Sequence, residues 1–101
     1  MYDMKNLGQL KALDEGAPEA MKAFWAFNNA AFAEGALPKL TKELIALGVA
    51  MATQCPYCIA LHTSAARDAG ATDAQLAEAA LVSAAIRAGG AVTHATHMFA
   101  K

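Results

Sequence analysis

Strand-forming patterns are scarce in this chain of 101 residues: β-branched residues are few, and no alternating apolar–polar run reaches strand length. That excludes a sheet-based fold and leaves an alanine-rich, all-α pattern. Charge is also sparse, at 17% of residues with a net value of -1. Its few Lys and Arg residues are scattered, so no basic stripe with interleaved aromatics exists to bind nucleic acid. The first twenty residues hold no apolar core of the kind a secretory signal carries. The longest weakly charged run, Leu44 to Leu61, is interrupted by Thr53, Gln54 and Pro56, and reads as a buried helix, not a membrane span. A cytoplasmic address without membrane attachment is the expectation. Only two cysteines are present, too few for a disulfide-built scaffold.

What is abundant is apolar material, 56% of the chain. A domain this small hides only about two-thirds of its unfolded surface. The surplus is expected to be covered by identical subunits, because obligate interfaces resemble a domain core.

The helices announce themselves by their ends. A short helix over 1–16 is closed by Gly16. Pro18 and Glu19 open a second, whose apolar face is Met21, Phe24, Trp25, Phe27 and Phe32 and whose end is Gly35. Pro38 opens a third over 38–53, with Thr41 as a candidate cap, apolar nearly all round and therefore central. Cys55 occupies an N-cap position with Pro56 at N1 of a fourth helix over 55–69, ended by Gly70. Thr72 and Gln75 form a capping box for a fifth helix over 73–88, with Leu76, Ala80, Leu81, Ala84 and Ile86 inward. Gly89-Gly90 is a break, and 91–100 a last helix. No linker or repeat divides the chain, so it is one domain.

Both cysteines lie in one stretch: Glu43, then Cys55-Pro56-Tyr57-Cys58, then His62. Cysteines at i and i+3 on a helix approach disulfide distance. Cys58 and His62, at i and i+4, share a face, which brings an imidazole within reach of a thiol. A helix start stabilises thiolates through its dipole and unpaired N–H groups, and the thiolate is the nucleophile. His62 can hold or relay a proton near neutral pH, and Glu43 can orient it or take the proton onward if the third helix packs on the fourth. Competing readings are two inert core thiols, a zinc site from Cys55, Cys58, His62 and Glu43, and a redox switch that alters assembly without turnover. Haem attachment is excluded because Ile59, not histidine, follows Cys58. His94 and His97 are half a metal site at most and read as surface or interface packing. Tyr57 can gate the pair, donate a hydrogen bond or simply pack.

With its spacing Glu43-x(11)-Cys55-x-x-Cys58-x(3)-His62, followed by Gly70-Ala71-Thr72, the chain resembles the alkylhydroperoxidase D-like group of the carboxymuconolactone decarboxylase superfamily over roughly residues 20–100. The resemblance implies an all-α fold of five or six helices with a central hairpin carrying the C-x-x-C, assembled as trimers or hexamers. It implies reduction of a hydroperoxide or a disulfide without haem, flavin or metal, the electrons coming from a dithiol or a lipoylated protein. By position, Cys58 would attack, Cys55 would donate a proton and resolve, and His62 and Glu43 would form the relay. Spacing supports Cys58 beside His62 and leaves the reversed roles open. One departure is Tyr57, where the best-studied peroxidases of this group carry a second histidine. The decarboxylase branch lacks the paired cysteines and acts on a lactone acid, for whose carboxylates no basic cluster is present here.

Overall fold

The computed structural model describes residues 2–101; Met1 lies outside them. A 3₁₀ turn, Met4–Gln9, leads into α1 (Leu10–Gly16), α2 (Pro18–Phe32), α3 (Lys39–Thr53), α4 (Pro56–Asp68), α5 (Asp73–Ala95) and a closing 3₁₀ turn, Thr96–Phe99. The described residues contain helices and no strand, as the composition predicts.

Helix α3 is the hub, with α4 on one side, α5 on another and the end of α2 against its start. Its buried residues, Glu43, Leu47 and Ala50, recur at helical spacing and form the stripe that faces α4. A single residue in left-handed conformation, Gln54 (φ 57°, ψ 50°), turns α3 into α4. Pro56 at N1 has a preset φ and needs no amide partner, so α4 starts at once. At its far end Gly70 adopts φ 99°, which L-residues resist, and its N–H bonds Arg67 O at 2.9 Å while Ala71 N–H bonds Ala66 O at 2.9 Å. The Thr72–Gln75 capping box forms in both directions, at 3.1 and 2.9 Å.

Four expectations need correction. The N-terminal helix is a 3₁₀ turn followed by a short α1, not one helix over 1–16. Helix α2 stops at Phe32, short of Gly35, because Ala33 is extended (ψ 147°) and Lys42 Nζ takes its carbonyl. Thr41 lies inside the first turn of α3, whose N-cap is Pro38. Gly89-Gly90 does not break α5, which runs on to Ala95. Two glycines cost only about 1 kcal/mol each against alanine, the neighbouring residues are mostly alanine, and Thr93 Oγ1 and His94 Nδ1 both bond Gly90 O, at 3.2 and 2.9 Å.

Helix α5 is fixed to α3 by Ser83 Oγ, which donates to Gly48 O at 2.8 Å, and by Arg87 Nη1, which donates to Ala52 O at 3.1 Å. Leu76 and Ala80 are half-buried as predicted, but Leu81, Ala84 and Ile86 point outward, Ile86 being 73% exposed. Phe24 and Phe27 on α2, and Ile45 and Val49 on α3, are exposed as well. Together with the closing turn, α5 is long and apolar enough, by length and composition, to cross a membrane, a feature that a break at Gly89-Gly90 had hidden. Its bonds to α3 instead fix its N-terminal half within the helical fold.

The fully buried apolar residues are Leu47, Ala50 and Ala66, a thin core. The radius of gyration is 17.0 Å, against about 13 Å for a compact chain of this length. Accessible surface is 7380 Å², against about 5,400 Å² for a compact monomer of this mass. An open groove of about 670 Å³ runs between α3 and α5, walled mainly by Leu44, Ile45, Val49, Val82 and Ile86.

Candidate active site

Each reacting group is placed by one helix end or one helix face. Cys55 is the N-cap of α4, where its Sγ accepts from Cys58 N–H at 3.4 Å, as the sequence predicts. One turn into the helix, Cys58 Sγ lies 3.0 Å from Cys55 Sγ. Both thiols are free and half-buried, and a disulfide at about 2.05 Å needs only a closure of roughly 1 Å.

The two sulfurs are not equivalent. The Cys55 thiol is lowered from its ordinary value, first by the hydrogen bond from Cys58 Sγ–H and then by the backbone N–H groups of Cys58 and Tyr57, which outweigh its partial burial. Cys58 is pushed up, first by donating that bond, then by burial and the adjacent Cys55 charge. Of the two thiols, Cys55 is the one that ionises more readily, at the helix start where the dipole favours a thiolate.

On α3, Glu43 is buried at 1% exposure. Its Oε2 is 2.7 Å from His62 Nδ1 and its Oε1 accepts from Lys39 Nζ at 2.7 Å. Burial raises the Glu43 carboxyl, but the hydrogen bonds and charges of Lys39 and His62 outweigh it and hold it below the usual carboxylate value. An ionised carboxylate only accepts, so His62 presents Nδ1–H to it and Nε2 is left for other work. The imidazole is also stacked on Phe32 of α2, with centroids 4.9 Å apart and planes at 14°. A polar cavity of about 450 Å³ opens beside this group, bounded by Asn28, Asn29, Phe32, Glu34, Lys39 and His62.

All four residues singled out in the sequence therefore lie on the α3–α4 hairpin, as two hydrogen-bonded pairs, Cys55–Cys58 and Glu43–His62. Tyr57 accepts from Asn6 Nδ2 at 3.1 Å and meets Tyr2 edge-on, with centroids 5.6 Å apart, so the N-terminal turn lies against the C-x-x-C. His94 and His97 stand side by side, away from the thiols, His94 bonded to Gly90 O of its own helix. Among the described residues no three His, Cys, Asp or Glu side chains gather as a metal would require. Sequence reasoning missed Lys39, although its place four residues before Glu43 was a readable signal. It also missed Phe32 as the ring that supports His62.

A helical hairpin with a C-x-x-C at its turn and central packing on α3 defines an all-α protein of the alkylhydroperoxidase D-like fold. The chain belongs to the carboxymuconolactone decarboxylase family, which it matches over residues 18–101. Among curated relatives it is 51% identical to "Uncharacterized protein 4 in cox locus" of Paracoccus denitrificans over 78 residues, which is 77% of this chain and 70% of that one. It is 44% identical to an uncharacterized protein of Cupriavidus necator over 70 residues, 69% of this chain and 62% of that one. Among solved structures, the apo form of a carboxymuconolactone decarboxylase family protein from Legionella pneumophila superposes with TM-score 0.77 at 36% identity, covering 81% of this chain and 73% of that one. A protein from Methanobacterium thermoautotrophicum superposes with TM-score 0.81 at 40% identity, covering 85% and 97%.

Proposed function

We propose that the chain is a cofactor-free thiol peroxidase or disulfide reductase that works in antioxidant defence. The observation that carries this reading is a reduced C-x-x-C, its sulfurs 3.0 Å apart at a helix start, on the same helical hairpin as a hydrogen-bonded carboxylate–imidazole pair. One thiolate attacks the terminal oxygen of a hydroperoxide ROOH and breaks the O–O bond. The sulfur is oxidised by two electrons to a sulfenic acid, and RO⁻ leaves and takes a proton as ROH. The second thiol then attacks the sulfenic sulfur and releases water, and a Cys55–Cys58 disulfide remains. An external dithiol or lipoylated protein returns two electrons and two protons.

The resemblance gives the attack to Cys58. The easier ionisation of Cys55 is compatible with that role, because a proton crossing from Cys58 to Cys55 over the 3.0 Å between the sulfurs leaves Cys58 as the nucleophile and Cys55 as the proton donor. The family's name comes from a decarboxylase chemistry that uses no thiol pair, and nothing in this site calls for it.

The working form we propose is a cytoplasmic homo-oligomer, a trimer or a hexamer. The chain carries about 2,000 Å² more surface than a compact monomer needs, an amount on the scale of an obligate interface. Apolar side chains on α2, α3 and α5 account for much of it, and further copies of the chain would cover them.

The test is to mix fully reduced protein with a slight excess of an alkyl hydroperoxide and follow intact mass and free thiols. Rapid loss of both thiols with a mass decrease of two hydrogens is the expected result. Thiols that survive many minutes would overturn the peroxidase reading, and a slow oxidation accompanied by a change in oligomer mass would favour a redox switch.

A further inference from the structure

Lys39 sits where a helix would not choose a lysine. It is the first residue of α3, at the positive end of the helix dipole, and the first turn carries no acidic residue to offset it. Lysine placed N-terminal to glutamate at i, i+4 is also the weaker orientation of that pair, and ion pairs with an exposed partner add little stability. Helix stabilisation therefore does not account for Lys39. Its surroundings do: Nζ donates to Glu43 Oε1 at 2.7 Å and lies 5.0 Å from the Phe32 centroid, the same ring that stacks on His62. Lys39, Glu43, His62 and Phe32 thus form one closed group at the wall of the polar cavity.

A buried carboxylate needs one positive charge beside it. Two groups donate to Glu43, the Lys39 ammonium and the His62 imidazole. We propose that Lys39 is a positioning residue of the proton relay: its ammonium keeps Glu43 an acceptor, so that His62 is held as an Nδ1–H donor with Nε2 left to exchange a proton with the thiol pair. Without Lys39, the carboxylate would keep the imidazole protonated as its counter-ion, or would itself take up a proton. Either way the base is lost at neutral pH. The remaining charged side chain at this wall, Glu34, is not hydrogen-bonded to Glu43. This inference rests on the thiol chemistry proposed above and assigns the setting of its relay.

The experiment follows the pH dependence of cysteine alkylation by iodoacetamide, an uncharged reagent, in the reduced whole protein. In Lys39→Met the midpoint of the rate profile falls by about one pH unit, because an imidazolium or an Nε2–H group favours the thiolate, which makes alkylation up to about tenfold faster below it. Lys39→Arg restores the wild-type profile, and a rise would report only the lost lysine charge. A folded Lys39→Met protein with an unshifted profile, or a uniform slowing at every pH, would overturn the proposal. Nitrogen NMR of the His62 ring in the wild type gives a second arm that needs no variant: the Nδ1–H tautomer is expected, and Nε2–H would be fatal. A His62→Gln profile that shifts while Lys39→Met does not would remove Lys39 alone and leave the thiol chemistry standing. Thiols inert to hydroperoxide would sink the peroxidase reading without touching the alkylation profile.

Discussion

The α3–α4 hairpin and the outer faces of α2 and α5 treat burial in opposite ways. In the hairpin, the fully buried Ala66 of α4 joins Leu47 and Ala50 of α3, and the one buried charge, Glu43, has two partners. On the outer faces, Phe27 is 71% exposed and Val92 70%, with nothing from the same chain over them. The hairpin is finished within one chain; the outer faces are not. The candidate site therefore has its mounting within one chain, and the remaining apolar surface is what the proposed assembly would cover.

The hardest way to break that division is at the sulfurs. Cys55→Ser and Cys58→Ser should each abolish peroxide turnover, since neither can close a disulfide, while melting temperature stays close to wild type. Full activity in both serine variants would end the redox reading.

Glu43→Gln should cut turnover by about 10² or more, as loss of a general acid–base relay does, with the fold retained. Its stability profile carries a sign. The folded Glu43 carboxyl lies below its ordinary value of 4.5, so the pair stabilises the fold at pH above that value. The contribution fades as pH falls through the lowered folded value. Acid unfolding of Glu43→Gln should therefore show a flatter pH dependence below about pH 5. An unchanged slope would mean that the carboxylate is not held as described.

Ile86→Asp sharpens the comparison from the other side. A charge placed in the α3–α5 groove should lower the oligomer mass in light scattering and make melting depend on protein concentration. The 3.0 Å thiol pair should stay reactive in whatever monomer remains. If mass is unaffected, this groove is not where copies meet.

Smaller effects probe the corner itself. Cys58→Ala removes the main hydrogen bond that lowers the Cys55 thiol, so Cys55 alkylation at pH 7 should slow several-fold. Gln54→Gly should relieve a left-handed strain of about 1 kcal/mol, part of which the more flexible unfolded chain takes back. A rise of a few degrees at most in melting temperature is expected.

The legible parts of this molecule were those governed by neighbours in sequence. Cys55 with Pro56, Gly70, and Thr72 with Gln75 are local capping devices, and each sits where its spacing placed it. The Glu43–His62 pair was readable only on the condition that α3 packs against α4, which it does. Lys39 was hidden by ordinariness, because a lysine at a helix start is unremarkable until the residue it touches is known to be buried. Helix α5 misled because glycine propensity is a weak local term, outweighed here by its alanine surroundings and the side-chain bonds to Gly90 O. The outward turn of Leu81 and Ile86 was illegible for a different reason: an apolar stripe does not record whether its own chain covers it.

The two-residue corner of Gln54 and Cys55 has a consequence for descent. Every polar group the proposed chemistry uses, from Lys39 to His62, is encoded in one short block whose only break is that corner, and Phe32 alone is supplied from outside it. Recombination that moves this block carries a whole site with it, and an insertion at position 54 would pull the thiols away from Glu43 in a single event. The outer helices are free of that constraint: they can drift toward new neighbours while the hairpin is passed on intact.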